Sequence, residues 1–444
     1  MQKICILVIT ICILLTPVFK NERENTPNPK ININNNYNKE NDYNYQLWAE
    51  TISIYLQDEL WIEQNAYDSG HYLMVPLHAA FLMNEPEWQK EFSNQVHLFM
   101  ETYSRNPDSL VEDRLNQLHY LYFLSRFIVL AEQQEKPELV PDGLYIFLLN
   151  RVNDVWLNET AWQWGRKPFV GGMQERILWK LENKNVAQSY YRAIIDEELF
   201  TIAIAADLRT YEKLAIDREK RSPVVDDVLE KSLMIFKQEG SFQDNGGWLF
   251  QPGVWTDSPS YAYAGNLEIK SGMKPIPVEG IAWDSSHSHR FPLYLTSLIT
   301  AYQSTDEEYV FYKKIRSSLE LQFCETVLKE PTRDFPAYRT TNFMDGRNGV
   351  YRWNYSSLGE GKGYGPYELS GTFTIGWWTF LGTDRVKKIY RDLAEMYPFS
   401  QKVTSLYDGP ETGQKRHPIV RWPESFNNGY SELIARLASK IPEL

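Results

Sequence analysis

With 444 residues, 43% of them hydrophobic and 23% charged, the chain has a globular composition and is long enough for roughly two or three average domains or for one repetitive helical ring. A formal net charge of -12 argues against nucleic acid or any other polyanion as a general partner, because phosphates would meet a repulsive average field. Aromatic residues reach 14%, and flat rings with polar edges suit stacking on sugars as well as core packing.

Residues 1–20, MQKICILVITICILLTPVFK, carry one early Lys and then about fifteen mostly apolar residues, short for a membrane span. This is the grammar of an export signal, and the chain is therefore expected to be periplasmic, cell-surface or extracellular. If the segment is retained, or lipidated at Cys12, it would tether the protein to a membrane. Residues 21–44 are rich in Asn and charge and poor in apolar residues, as a flexible tether is. Of three cysteines only Cys324 lies beyond the leader, in SSLELQFCETVLKE, where a buried small hydrophobe is expected.

From Tyr45 onward the pattern is helical. In YQLWAETISIYLQDELWIEQ, Trp48, Ile52, Tyr55, Leu56 and Leu60 recur at three- and four-residue steps along one face. Comparable runs predict helices at 87–103, 111–134, 139–157, 186–208 and 225–237, then at 292–303, 307–328, 372–381, 385–396 and 425–438. Between them, 158–175, 239–290 and 331–371 turn to Gly, Trp, Tyr, Asn and Asp, and loops of that length in a compact domain are usually functional or disordered. The expected architecture is all-α: residues 45–444 as a single α/α toroid of helical hairpins around a cleft, with a two-layer helical solenoid as the competing fold.

Two decamers frame the candidate chemistry. DSGHYLMVPL starts at Asp68 and DSSHSHRFPL at Asp284, sharing Asp-Ser-x-His and a later Pro-Leu. Pro292 suits a first helical turn, and Asp284 or a serine can accept from the free amides there. His287 and His289, two apart, would point the same way from extended backbone, with Arg290 as a fixed positive charge beside them. Asp68 and His71 are the matching candidates in the first copy, whereas His78 on an apolar helix reads as a core residue. His-x-His beside a carboxylate resembles metal-ligand spacing, but nothing fixes further ligands, so neither metal nor cofactor is expected.

The loops add aromatic and polar groups. QDNGGWLFQPGVWTDSPSYAYAGN offers Trp248, Trp255 and Tyr263 as stacking rings, Asn245 and Asp257 as hydrogen-bonding partners, and the Tyr261 hydroxyl. NGVYRWNYSSLGEGKGYGPYELSGTF supplies Arg352, Trp353, Tyr364 and Glu368; its glycines fit neither a P-loop nor a dinucleotide fingerprint. WQWGRKPFVGGMQER adds Glu175 and Arg176. Each of these segments is equally read as loop structure alone.

PVEGIAWDSSHSHRFPLYLTSL, with Glu279, His287 and Arg290, resembles the helical-toroid polysaccharide lyases of the alginate-lyase and heparinase type, in which a glutamate-containing turn leads through a basic stretch into an inner helix. The Asn-Asn-His signature of that type is absent. The resemblance implies β-elimination on uronate polymers, which needs a group to neutralise the substrate carboxylate, a base for the C5 proton and an acid for the leaving oxygen. Residue types suggest Arg290 or Arg352 for the first, His287 or His289 for the second, and Tyr261 or Tyr364 for the third. A glycoside hydrolase is the nearest rival, with two carboxyl groups drawn from Asp68, Asp257, Asp284, Glu175 and Glu368. A non-catalytic surface protein gripping polysaccharide or oligosaccharide is the alternative from another class.

Overall fold

The computed structural model describes residues 33–216, 221–412 and 415–442 and divides the chain into units of residues 1–43 and 44–444. The expected leader, 1–20, lies outside the described residues, as does the first half of the expected tether. Among the described residues no helix is long and apolar enough to cross a membrane.

The protein is mostly helical. Helices α1 (Ile33–Glu50), α2 (Ile52–Tyr55), α3 (Glu63–Tyr72), α4 (Met74–Leu82), α5 (Pro86–Arg105), α6 (Arg114–Gln133), α7 (Leu144–Asn153) and α8 (Gly172–Glu182) form the first half. The second half contains α9 (Asp196–Tyr211), α10 (Pro223–Glu239), α11 (Ser285–Ser288), α12 (Phe291–Ala301), α13 (Glu307–Gln322), α14 (Asp384–Glu395), α15 (Gln401–Asp408) and α16 (Tyr430–Ala438). Strand is confined to two short antiparallel pairs, β1 (Gly240–Phe242) with β2 (Trp248–Phe250) and β3 (Leu328–Lys329) with β4 (Arg339–Thr340).

Sequence pattern separates two kinds of helix. In α5 only Trp88, Phe92, Val96, Phe99 and a few polar neighbours are buried, the stripe of a helix with one wet face. In α6 the whole run from Gln117 to Ala131 is buried, and α9 and α12 are enclosed almost as fully. Helices apolar all round must be surrounded by others. Accordingly α6 packs between α3 and α9, and α9 against α12, while α12 contacts the 3₁₀ turn Trp377–Leu381. That turn reaches α3 and α4: Trp377 Nε1 donates to the His71 carbonyl at 2.8 Å, and the rings of Phe380 and His78 lie 4.6 Å apart.

Most expected helices are present with shifted ends. The run 372–381 is instead two 3₁₀ segments, Ser370–Ile375 and Trp377–Leu381, divided by Gly376 in the left-handed region at φ 88°. The run 186–208 starts as a helix only at Asp196, after a single 3₁₀ turn at Ser189–Arg192. Within the expected tether, α1 is already helical from Ile33.

One continuous apolar core fills the helical body. A satellite cluster of Tyr261, Ala264, Ile281, Phe343, Tyr351 and Leu369 fastens the long loops to each other. Gly349 makes this possible, since a Cβ there would lie 1.7 Å from the Ala264 carbonyl oxygen.

Candidate functional site

The N-terminal ends of α11 and α12 and one face of α3 meet the loop carrying Arg352 and Tyr364 around a cavity of about 860 Å³. The first Asp-Ser-x-His copy is not a turn but lies inside α3, and its glycine explains its depth. A Cβ at Gly70 would sit 2.2 Å from the His119 carbonyl oxygen, so only glycine lets α3 close on α6. This brings the ring of His71 to 6.1 Å from that of His119, and from the other side His289 approaches His71 to 5.1 Å, edge to face. The two copies therefore converge, although by non-equivalent geometry.

In the second copy Asp284 caps α11, accepting from the backbone N–H of His287 at 3.1 Å. The same buried carboxylate accepts from the Tyr261 hydroxyl at 2.7 Å and from His287 Nδ1 at 2.8 Å. Burial alone would raise its pKa; the neighbouring His287, its hydrogen bond and Arg352 outweigh that and hold the carboxyl well below the usual range. With Nδ1 against Asp284, the other ring nitrogen, Nε2, lies 3.9 Å from Asp196 Oδ2. The backbone here is helical rather than extended, so His287 and His289 diverge: His287 stays half-buried, while His289 is fully enclosed between His71 and Trp377.

The arginines differ in how far they are occupied. Arg290 donates to Asp196 at 2.5 Å and to the Tyr67 hydroxyl at 2.8 Å, and Arg416 donates to Asp68 Oδ1 at 2.5 Å. Arg352 instead lies over the rings of Tyr355 (4.5 Å) and Tyr351 (5.2 Å), and its Nε has no hydrogen-bond partner among the described residues. Its φ of 51° is a strained backbone for a long side chain, held by its N–H donating to the Ser260 carbonyl. The bridge Tyr351 to Tyr364 places Tyr364 on the same wall.

Burial shifts the remaining groups. It lowers His71 well below the ordinary histidine range and His119 and His289 to about 3, with Arg290 adding to each. It raises Asp68 to about 6 against the opposing charge of Arg416, and it raises Glu368 and the Tyr364 hydroxyl.

Of the residues singled out from sequence, His71, His287, His289, Arg290, Arg352, Tyr364 and Glu368 line the cavity. Asp68 and Asp284 stand one layer behind, holding Arg416 and His287. Tyr261 is buried behind Asp284 with its hydroxyl engaged, which removes it as a donor to anything in the cavity. Trp248, 1% exposed, is a core residue stacked among Phe236, Phe250 and Phe291.

None of the other loop candidates lines the cavity. Trp255 stacks on Tyr261 at 5.5 Å, Tyr263 pairs with Trp353 at 6.2 Å, and Asn245 accepts from the Gly247 N–H. Asp257 ties down Ser189 through its backbone N–H and hydroxyl, and Glu175 accepts from the Gly171 N–H at the start of α8. Arg176 is locked to Glu197 and Glu198. These side chains hold loops together.

Sequence reasoning missed Tyr67, Asp196 and Arg416. Tyr67 immediately precedes Asp68 and takes a hydrogen bond from Arg290, whereas Arg416 comes from a loop almost 350 residues away in sequence that carries no local signal. Among the described residues no group of three or more potential ligands is arranged to hold a metal ion. No family model matches the chain, and no curated protein or solved structure is significantly similar to it.

Proposed function

We propose that the protein is an exported polysaccharide lyase of α/α-toroid architecture that cleaves uronate-containing glycans by β-elimination. The toroid reading draws on the enclosed helices α4, α6, α9 and α12, whose contacts pass through Trp377–Leu381 back to α3 and α4. Export rests on the leader pattern alone.

One observation carries the chemistry: an Asp284-bound His287 faces the same cavity as Arg352 and Tyr364. A carboxylate on Nδ1 fixes the tautomer and stabilises the imidazolium that forms when Nε2 takes a proton. Arg352 is free to receive the substrate carboxylate, so that negative charge developing on it as the C5 proton leaves is met by a guanidinium. The C5–H electron pair becomes the C4=C5 bond as the C4–O bond breaks. Tyr364, kept protonated by its raised pKa, donates its hydrogen to the departing oxygen. Arg290 is less suited to the carboxylate because Asp196 already neutralises it, and neither ring nitrogen of His289 has a hydrogen-bond partner among the described residues. The test is ultraviolet detection of the unsaturated product across a panel of uronate polymers; an absence of that product from every polymer would remove the reading.

A hydrolase draws support from two cavity carboxyls raised by burial, Glu368 and Asp408. It predicts saturated products and loss of activity in both Glu368→Gln and Asp408→Asn.

A further inference from the structure

The cavity has two chemically different sides. On one stand Arg352, Glu368 and other charged groups; on the other are the uncharged rings of His71, His289 and Tyr67, with the ion-paired Arg290 and Arg416 against Tyr67. His71 lines the cavity while only 4% exposed, and its Nδ1 has no hydrogen-bond partner among the described residues. Its ring is held between Tyr67 (5.4 Å, 13° between planes) and Trp377 (5.6 Å, 29°), so it cannot swing away to find a partner in water. An enclosed polar atom without a partner costs free energy unless a ligand supplies the missing bond.

We propose that His71 and His289 form the floor of a subsite for an uncharged, hydroxyl-bearing sugar residue, adjoining the place where Arg352 receives a uronate carboxylate. A neutral imidazole offers one N–H donor and one lone pair, the same complement as a sugar hydroxyl. A sulfate ester at this position would bring a buried charge whose two neighbouring cations are already ion-paired, Arg290 with Asp196 and Arg416 with Asp68. The low imidazole pKa values keep these rings uncharged at neutral pH. The subsite thus narrows the proposed substrate class to uronate glycans unsulfated at the residue that meets this floor, and in that sense it rests on the lyase reading.

The test is calorimetric titration of the full chain with an unsulfated uronate tetrasaccharide and with its O-sulfated counterpart. The unsulfated probe should bind at least about tenfold more tightly. In His71→Phe, which keeps the ring volume but loses both polar atoms, affinity for the unsulfated probe should fall about tenfold; His71→Gln, with a donor and an acceptor, should recover most of it. Equal affinity for the two probes in the wild type overturns the proposal, and it does so even if His71→Phe fails to fold. Unaltered binding by a folded His71→Phe overturns it as well. Binding of the unsulfated probe with no unsaturated product would sink the lyase reading and leave the subsite standing, whereas binding of neither probe sinks both.

Discussion

Two polar clusters occupy the helical body, and they use the same residue types to opposite ends. In the core, Arg126 Nη1 donates to Asp207 Oδ1 at 2.7 Å, the Ser125 hydroxyl donates to Asp207 Oδ2 at 2.8 Å, and Arg126 Nε donates to His78 Nε2 at 3.3 Å. His78 completes the set by donating from Nδ1 to the Met74 carbonyl at 2.7 Å. In and behind the cavity wall the comparable groups are left short: Asp68 Oδ2, His71 Nδ1, Asp196 Oδ1, Arg290 Nε and Arg352 Nε have no partner among the described residues. A saturated network rigidifies a core, while an unsaturated one beside solvent is poised to bind. Between these two clusters, saturation rather than residue type marks the difference.

The contrast is sharpest in two substitutions. His287→Ala should lower product formation by about 10² to 10⁴, the range for a general base, with a smaller loss of stability, about 1.5–3 kcal/mol, for the hydrogen bond taken from the buried Asp284. Arg126→Ala should do the reverse, costing about 3–5 kcal/mol of stability by stranding the buried Asp207, while turnover per folded molecule persists. Denaturant unfolding and kinetics on both variants check the pair; similar damage to both properties in each variant would erase the distinction.

A smaller effect tests the support behind the base. Tyr261→Phe removes the hydroxyl that donates to Asp284 and should cost about 1.5–3 kcal/mol, the range for a hydrogen bond to a charged group. With less support for the charged carboxylate the Asp284 pKa should rise, and denaturant unfolding of the variant against wild type measures the lost stability.

Acid titration separates the clusters in another way. His71, His78, His119 and His289 are held neutral by burial, so below about pH 6.5 the unfolded chain binds protons that the folded chain does not. Stability should therefore fall as pH drops, by about 1.4 kcal/mol per pH unit for each histidine. Asp68, raised to about 6, runs the other way and offsets one of the four while the folded carboxyl protonates ahead of the unfolded one. The depressed Asp284 adds destabilisation only once the pH reaches about 4, where the unfolded carboxyl protonates. Urea midpoints between pH 8 and pH 5 for the wild type and His78→Gln measure this, and the variant should show the shallower slope.

Helices with a one-sided apolar stripe, such as α5, or with none but buried positions, such as α6, were legible from periodicity because burial by neighbouring helices imposes it. Helix α3, EQNAYDSGHY, was not: it turns polar side chains into the cavity and so lacks a stripe. The same trade-off marks the site. His287 and Asp284 were visible because capping and base support are local, three residues apart. Arg416 reaches the cavity, and Asp196 reaches Arg290, by tertiary folding alone, and aromatic richness misled at Trp248 because a Trp-rich loop can serve the core as readily as a ligand.

The most direct measurement is a time course of unsaturated-uronate absorbance for wild type, His287→Ala and Arg126→Ala, each normalised to folded protein. The account predicts a steady rise for wild type and Arg126→Ala and a nearly flat trace for His287→Ala. A flat wild-type trace, or a His287→Ala trace that overlays it, would contradict the account.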